Sequence, residues 1–273
     1  SSDLVPKAPE IAEASTGKSM GQHAEIMARL NGISRQAQDE FAWKSHQRAA
    51  AAWESGKYAE EVCPLWPPPK YEPVERDTYV RADTQVEKLA ALKPAFDRVY
   101  GSLTAANSSG LTDGAAMLLV AEESYAKELG YKPLARVVSW SNVGIEPEPQ
   151  LLLGPAYAVP AALKKAGLNL SDMDLIDIHE AFAAQVLSVI AKLECPEFGA
   201  SLGLQGPVGK VDPEKLNVNG GSIALGHPFG ATGARMILSM SRELQRRKAR
   251  YALLTSRPPV PALRQPCGRA PRA

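Results

Sequence analysis

Cysteine is scarce in this sequence: Cys63, Cys195 and Cys267 are the only three among 273 residues. They are too few and too scattered for a disulfide framework or a zinc cluster, and such usage reads as a reducing intracellular setting. No stretch approaches ~18 consecutive apolar residues, so no transmembrane helix is expected. An excess of one charge is missing too, since 31 Lys and Arg balance 30 Asp and Glu. That excludes nucleic acid or an anionic membrane as the principal partner and leaves any polyanionic ligand to a local patch. There is neither a signal-peptide pattern nor an initiating Met at Ser1, so the start reads as a processed or truncated end. What the chain does have is length: a chain of this size buries roughly 75% of its unfolded surface, enough for one large or two ordinary domains.

Residues 16–56 read as two helices. Met20, Ala24, Met27 and Leu30 recur at helical spacing up to Gly32. Ser34 then caps a second helix that carries Ala37, Phe41 and Ala49 and closes at Gly56. The prolines of residues 63–80 predict an irregular surface excursion. Further on, the rhythm becomes strand, turn, helix. Ala115–Ala121 is a continuous apolar run suited to a strand buried on both faces. Glu122–Leu129 predicts a helix closed by Gly130, Arg136–Trp140 a strand, and Pro155–Ala166 a helix closed by Gly167. Leu175–Ile178 predicts a strand leading into a helix over Glu180–Leu193. Met236–Leu244 predicts an amphipathic helix and Tyr251–Thr255 a last strand. This alternation predicts an α/β layered fold with a mostly parallel sheet.

Three segments carry chemistry. The first is Thr104-Ala-Ala-Asn-Ser-Ser-Gly-Leu-Thr-Asp-Gly-Ala-Ala116 and the second Asp177-Ile-His-Glu-Ala-Phe-Ala-Ala-Gln185. The third is Asn217-Val-Asn-Gly-Gly-Ser-Ile-Ala-Leu-Gly-His-Pro-Phe-Gly-Ala-Thr-Gly-Ala-Arg235, a glycine-rich passage into a helix at Ala234. Glycines allow positive φ and close approach of backbone to a ligand, and a helix start offers free N–H groups and partial positive charge. His227 lies in that passage before a proline, with an unperturbed pKa of about 6.5 that suits proton transfer near neutral pH. His179 falls where a strand hands over to a helix, a frequent place for active-site groups in α/β folds.

Together with Ser15-Thr-Gly-Lys-Ser-Met-Gly21, these segments resemble the thiolase family, in its order, over residues 15–256. His179, Gln150-Leu-Leu-Leu-Gly-Pro155, the insert at 194–215 and Pro228-Phe229 look most like the branch of the trifunctional fatty-acid oxidation enzyme's β-subunit. The resemblance implies the C-terminal part of an αβαβα layered sandwich. Residues 1–111 look like the substrate-covering loop subdomain, 112–132 like the end of the N-terminal domain and 133–256 like the C-terminal domain. It also implies 3-ketoacyl-CoA thiolysis in β-oxidation, with His227 activating the nucleophile and His179 helping to polarise the substrate's thioester oxygen. Ser109 and Ala105 would hold the pantetheine arm, Phe182 and Met20 would line the pocket, and His23, Arg76 and Lys18 would meet the phosphates. Coenzyme A is the implied cosubstrate, with no covalently bound cofactor and no metal. Implied partners are acyl-CoA, a second copy or larger assembly, and an α-subunit with hydratase and dehydrogenase activities. Peripheral membrane association fits the same branch, and so does a mitochondrial location, with the peroxisome as alternative.

The family works through two cysteines, because a thiol's pKa of about 8.5 is easily lowered and the thiolate is the nucleophile. The resemblance places the first cysteine in a part of the fold ahead of Ser1. It places the second at position 257, which here is Arg257. The seventeen residues from Arg257 hold five prolines, four arginines and no acid, a composition not expected to supply the closing strand. They read as a coding frame out of register, with a degenerate, non-catalytic paralogue as the competing account. Without both cysteines the chain alone is expected to be inactive. Without half of a duplicated fold it is not expected to stand as a monomer.

Overall fold

The computed structural model describes residues 12–256 and 260–264. Two helices open it. Helix α1 (Met20–Leu30) starts at a capping box in which Ser19 accepts from the Gln22 N–H while the Gln22 side chain accepts from the Ser19 N–H. Helix α2 (Arg35–Glu54) starts at Ser34, whose hydroxyl accepts from the Ala37 N–H, and Gly32 takes the left-handed turn between them. The proline-rich stretch behind α2 is an exposed excursion, as its composition predicts. Two short helices follow, α3 (Val86–Ala90) and α4 (Glu123–Glu128), the latter ending before a left-handed Gly130.

The remaining elements build the sheet and its cover. In chain order they are β1 (Arg136–Ser141), α5 (Gly154–Ala166), β2 (Leu175–Ile178), α6 (Ala183–Leu193) and α7 (Pro196–Ser201). They are followed by α8 (Ser222–Leu225), α9 (Thr232–Arg247), β3 (Tyr251–Thr255) and β4 (Val260–Arg264). The strands lie in the order β1-β4-β3-β2. Side chains alternate across them with a period of two. Ile176, Ile178 and Leu253 join the core that α5 and α6 cover, whereas Leu175, Ala252, Leu254 and Leu263 join Met236, Met240 and Leu244 of α9 on the other face. Helix α1 packs outside α6, which adds a further helical layer. The α/β class and layered arrangement are as the sequence implies.

Three expectations fail. The sheet is mixed, since only β2 and β3 pair in parallel while β4 runs antiparallel to both β3 and β1. Only residues 256–259 separate β3 from β4, and a parallel return needs a crossover of a dozen residues or more. Ala115–Ala121 is not a strand: it runs without secondary structure, with Met117 90% and Val120 81% exposed. Apolar composition makes strand formation favourable only where a neighbouring edge can take the backbone hydrogen bonds, and no described strand pairs with this run.

The third failure concerns the tail. Residues 260–264 do form a closing strand, despite Pro261. The β3–β4 ladder stops at Leu253 opposite Ala262, so on that side pairing ends before the residue that lacks an N–H. Leu263 is 1% exposed within the α9 core. Replacing Leu263 by Asp should therefore cost at least ~3 kcal/mol, as uncompensated buried charges do. Urea unfolding of the variant measures this, and an unchanged midpoint would remove β4 from the sheet.

Candidate active site

His179 is the first residue after β2. Its N–H donates to the Thr255 carbonyl at 2.7 Å, which ties it to the end of β3, and its ring is buried. Nδ1 lies 2.9 Å from Ser222 Oγ, and Nε2 is buried with no hydrogen-bond partner among the described residues. His227 comes from the loop between α8 and α9. Its N–H donates to the Gly110 carbonyl at 3.0 Å, and its Nδ1 lies 2.8 Å from Thr232 Oγ1 in the first turn of α9. The Thr232 hydroxyl donates to the Pro228 carbonyl at 3.1 Å, so towards His227 it can only accept. This pattern assigns the His227 proton to Nδ1 and leaves Nε2 as the acceptor.

The two imidazoles lie with ring centroids 4.1 Å apart, tilted by 47°. The ring of Phe229, well exposed, lies 4.8 Å from that of His227, tilted by 48°. Burial, then the neighbouring His227 and Arg235, holds the His179 pKa well below 6.5, and burial followed by Arg235 lowers that of His227. Both rings are therefore neutral at pH 7. One offers a free acceptor, and the other has a buried nitrogen with nothing yet bonded to it.

Glu180 holds this arrangement in place. Its carboxylate accepts from Ser45 Oγ at 2.6 Å, Asn217 Nδ2 at 2.7 Å and the Ile223 N–H at 3.1 Å. It thereby joins α2, the glycine-rich passage and α8. Asn217, itself in a left-handed conformation, also bonds both the N–H and the carbonyl of Ile178. The passage is not continuous glycine loop: α8 makes one helical turn inside it, and α9 begins at Thr232, ahead of Ala234. Glycine is required at Gly221, where a Cβ would come 2.3 Å from the Glu180 carboxyl carbon. It is required again at Gly226, at φ +88°, where Thr112 crosses.

The first signature segment reaches the same place. Ser109 N–H donates to the Ala181 carbonyl, Ala183 N–H to the Asn107 carbonyl, and Ser108 bridges Phe182. Ser109 is half-buried and Ala105 is exposed on this loop. Phe182, expected to line a pocket, is packed in the main core and meets Phe96 edge-on at 5.7 Å. Met20 packs against that same core. Of the three bases expected at phosphates, His23 is fully enclosed and bonded to Thr16, Lys18 pairs with Glu148, and Arg76 lies over Trp53. Ser222, Thr232 and Arg235 were missed, although they sit in the segment that carries the resemblance. Neither Cys63, exposed, nor Cys195, whose Sγ donates to Glu197, is among the contacts of the histidine pair.

Comparison with known proteins identifies the family. Residues 3–124 match the model of the thiolase N-terminal domain and residues 131–256 that of the thiolase C-terminal domain. The chain is 50% identical over 255 residues to a 3-ketoacyl-CoA thiolase of Photobacterium profundum, covering 93% of this chain and 58% of that protein. A 3-ketoacyl-CoA thiolase of Escherichia coli is 49% identical with the same coverage. The human mitochondrial 3-ketoacyl-CoA thiolase solved in complex with CoA superposes with a TM-score of 0.79 at 32% identity, over 94% of this chain and 61% of that one. The chain thus spans under two thirds of the length of these relatives. The curated relatives are bacterial, and bacteria have neither mitochondria nor peroxisomes, which overturns the organellar location implied by branch resemblance.

Replacing Glu180 by Gln turns one acceptor into a donor facing the Asn217 amide or the Ile223 N–H. The expected loss is ~1–3 kcal/mol in urea unfolding. A loss under ~0.5 kcal/mol would mean that the group is already a neutral acid in the fold.

Proposed function

The chain belongs to the thiolase family, and from that premise we propose that it supplies the histidine half of an acyl-transfer site for 3-ketoacyl-CoA thiolysis in fatty-acid β-oxidation. The observation that carries the proposal is the pair of neutral imidazoles 4.1 Å apart. His227 Nε2 takes the proton from a cysteine thiol, and the thiolate adds to the 3-keto carbon. The bond between the 2- and 3-carbons breaks, its electron pair leaving on the acetyl-CoA enolate, which a second acid protonates. The thiol of coenzyme A then attacks the acyl-cysteine, releasing the shortened acyl-CoA and returning the cysteine sulfur. His179 Nε2 donates a hydrogen bond, directly or through a water, to the thioester oxygen as negative charge builds on it. That role requires the His179 proton to sit on Nε2. Ser109 and Ala105 lie on the loop that would meet the pantetheine arm. No cysteine contacts the pair among the described residues, so in this reading the sulfur comes from outside them. The proposal extends to medium or long acyl chains, a homodimeric or larger assembly, and an α-subunit carrying hydratase and dehydrogenase activities.

One observation favours a second reading. Arg257 stands where the resemblance puts the second cysteine, as in a subunit that binds acyl-CoA without turnover. A thiolysis assay on the native assembly, following loss of 3-ketoacyl-CoA in the presence of CoA, separates the two. In the first reading His227→Ala lowers the rate by ~10²–10⁴, the usual worth of a positioned base. His179→Ala lowers it by ~10²–10³. Because burial and Arg235 hold the His227 pKa below 6.5, the base stays deprotonated at neutral pH, and activity should fall only on acidification beyond pH 6.5. CoA binding with no turnover in the unmutated assembly would support the second reading.

A further inference from the structure

We propose that Ser222 and Arg235 are positioning residues that set the tautomer of His179. The Arg235 guanidinium donates to Ser222 Oγ, and the Ser222 hydroxyl donates to His179 Nδ1, which places the ring proton on Nε2.

Ser222 is fully buried and its backbone is pinned on both sides. Gly221 N–H donates to Ser45 Oγ and Ile223 N–H to Glu180, while the Ser222 carbonyl accepts from Gly226 N–H. Its Oγ has two polar neighbours, His179 Nδ1 at 2.9 Å and Arg235 Nη2 at 3.3 Å. A guanidinium can only donate, so towards Arg235 the serine oxygen accepts. The serine then has one hydrogen left and one partner able to take it, the imidazole Nδ1. A cation donating into Oγ also polarises the O–H bond and strengthens it as a donor. The opposite tautomer would strand the serine hydrogen in a buried site. It would also leave His179 Nε2, already without a described partner, as a second bare acceptor beside the His227 acceptor.

This proposal deepens the thiolase reading and rests on it for its consequence, because only Nε2–H can donate to a substrate oxygen. The tautomer itself does not depend on catalysis, so the experiment can separate the two failures. In the ¹⁵N-labelled full chain, long-range proton–nitrogen correlation reads both ring nitrogens of the four histidines, with His179→Gln to assign the signals. The expected spectrum at pH 7.5 has a protonated, pyrrole-type Nε2 and an unprotonated, pyridine-type Nδ1 for His179. Ser222→Ala should lose that pattern and give a tautomer mixture, while Ser222→Thr, which keeps the hydroxyl, should restore it. Arg235→Met should shift the population towards the mixture, and Arg235→Lys should shift it less. Unshifted His23 and His46 signals certify that each variant is folded. A pyrrole-type Nδ1 in the unmutated chain, or a Ser222→Ala spectrum with His179 unchanged, would overturn the proposal. The expected tautomer together with no thiolysis would leave this inference standing and defeat the catalytic reading instead.

Discussion

Glu180 receives three donors in a place without solvent, and the positions of both histidines follow from that constraint. Burial pushes its pKa up, while the Ser45 hydroxyl, the Asn217 amide, the Ile223 N–H and Arg235 pull it back. One donor comes from α2 and the other two from the 217–223 stretch remote from it in sequence, so the carboxylate can be satisfied only when α2 is docked on the 217 loop and α8. An unmet carboxylate in such a site would cost several kcal/mol. Partial docking is thereby made unfavourable. The group therefore acts as a latch on the glycine-rich passage rather than as a reactant.

The latch explains how the two rings come to face each other. Glu180 follows His179 in sequence, so the residue that grips Ile223 and packs on Gly221 also fixes the end of β2. Ser222, held between those two anchor points, then reaches the His179 ring. His227 is fixed from two other directions, by the Gly110 carbonyl at its backbone and by Thr232 at its ring. Among the described residues neither imidazole has a carboxylate as its hydrogen-bond partner. Burial and the nearby Arg235 favour the neutral form of both rings, so the pair acts by hydrogen bonding and proton acceptance rather than as fixed positive charge. Asp177 feels the same burial, which raises its pKa to about 7 against the pull of Arg235.

Local signals were legible where local physics decides. Leu175–Ile178 was recognised as a strand with its bounds intact, and Ser34, Gly32 and Gly167 marked helix ends because caps and left-handed turns are written in single residues. What failed depended on partners remote in sequence. Ala115–Ala121 has the composition of a buried strand but no ladder to join. The tail has a composition hostile to strands, yet it finds two neighbours, β1 and β3, and its proline falls where one ladder has ended. His179 and His227 could be picked out of the sequence, and the structure brings their rings together. Phe182 and His23 could not be placed, because nothing in the sequence says which side of a helix start faces a pocket and which faces the core.

The thiol required by the proposed chemistry is the one part that the described contacts do not include, and the geometry states what that thiol must satisfy. It has to approach the open side of the pair, since the Nδ1 atoms of both rings are already engaged by Ser222 and Thr232. Thr112 and Gly114 pass directly over the His227 loop: a Cβ on Gly226 would strike Thr112, and one on Gly114 would strike Pro228. That crossing narrows the approach, and the exposed ring of Phe229 also lies beside His227. The exposed run that follows the crossing, through Met117 and Val120, begins beside the site and carries apolar side chains into solvent. A segment bringing sulfur to His227 along this side would gain about 25 cal/mol for each Å² of that apolar surface it covers. Completion of the site and burial of the run would then be favoured by the same docking event.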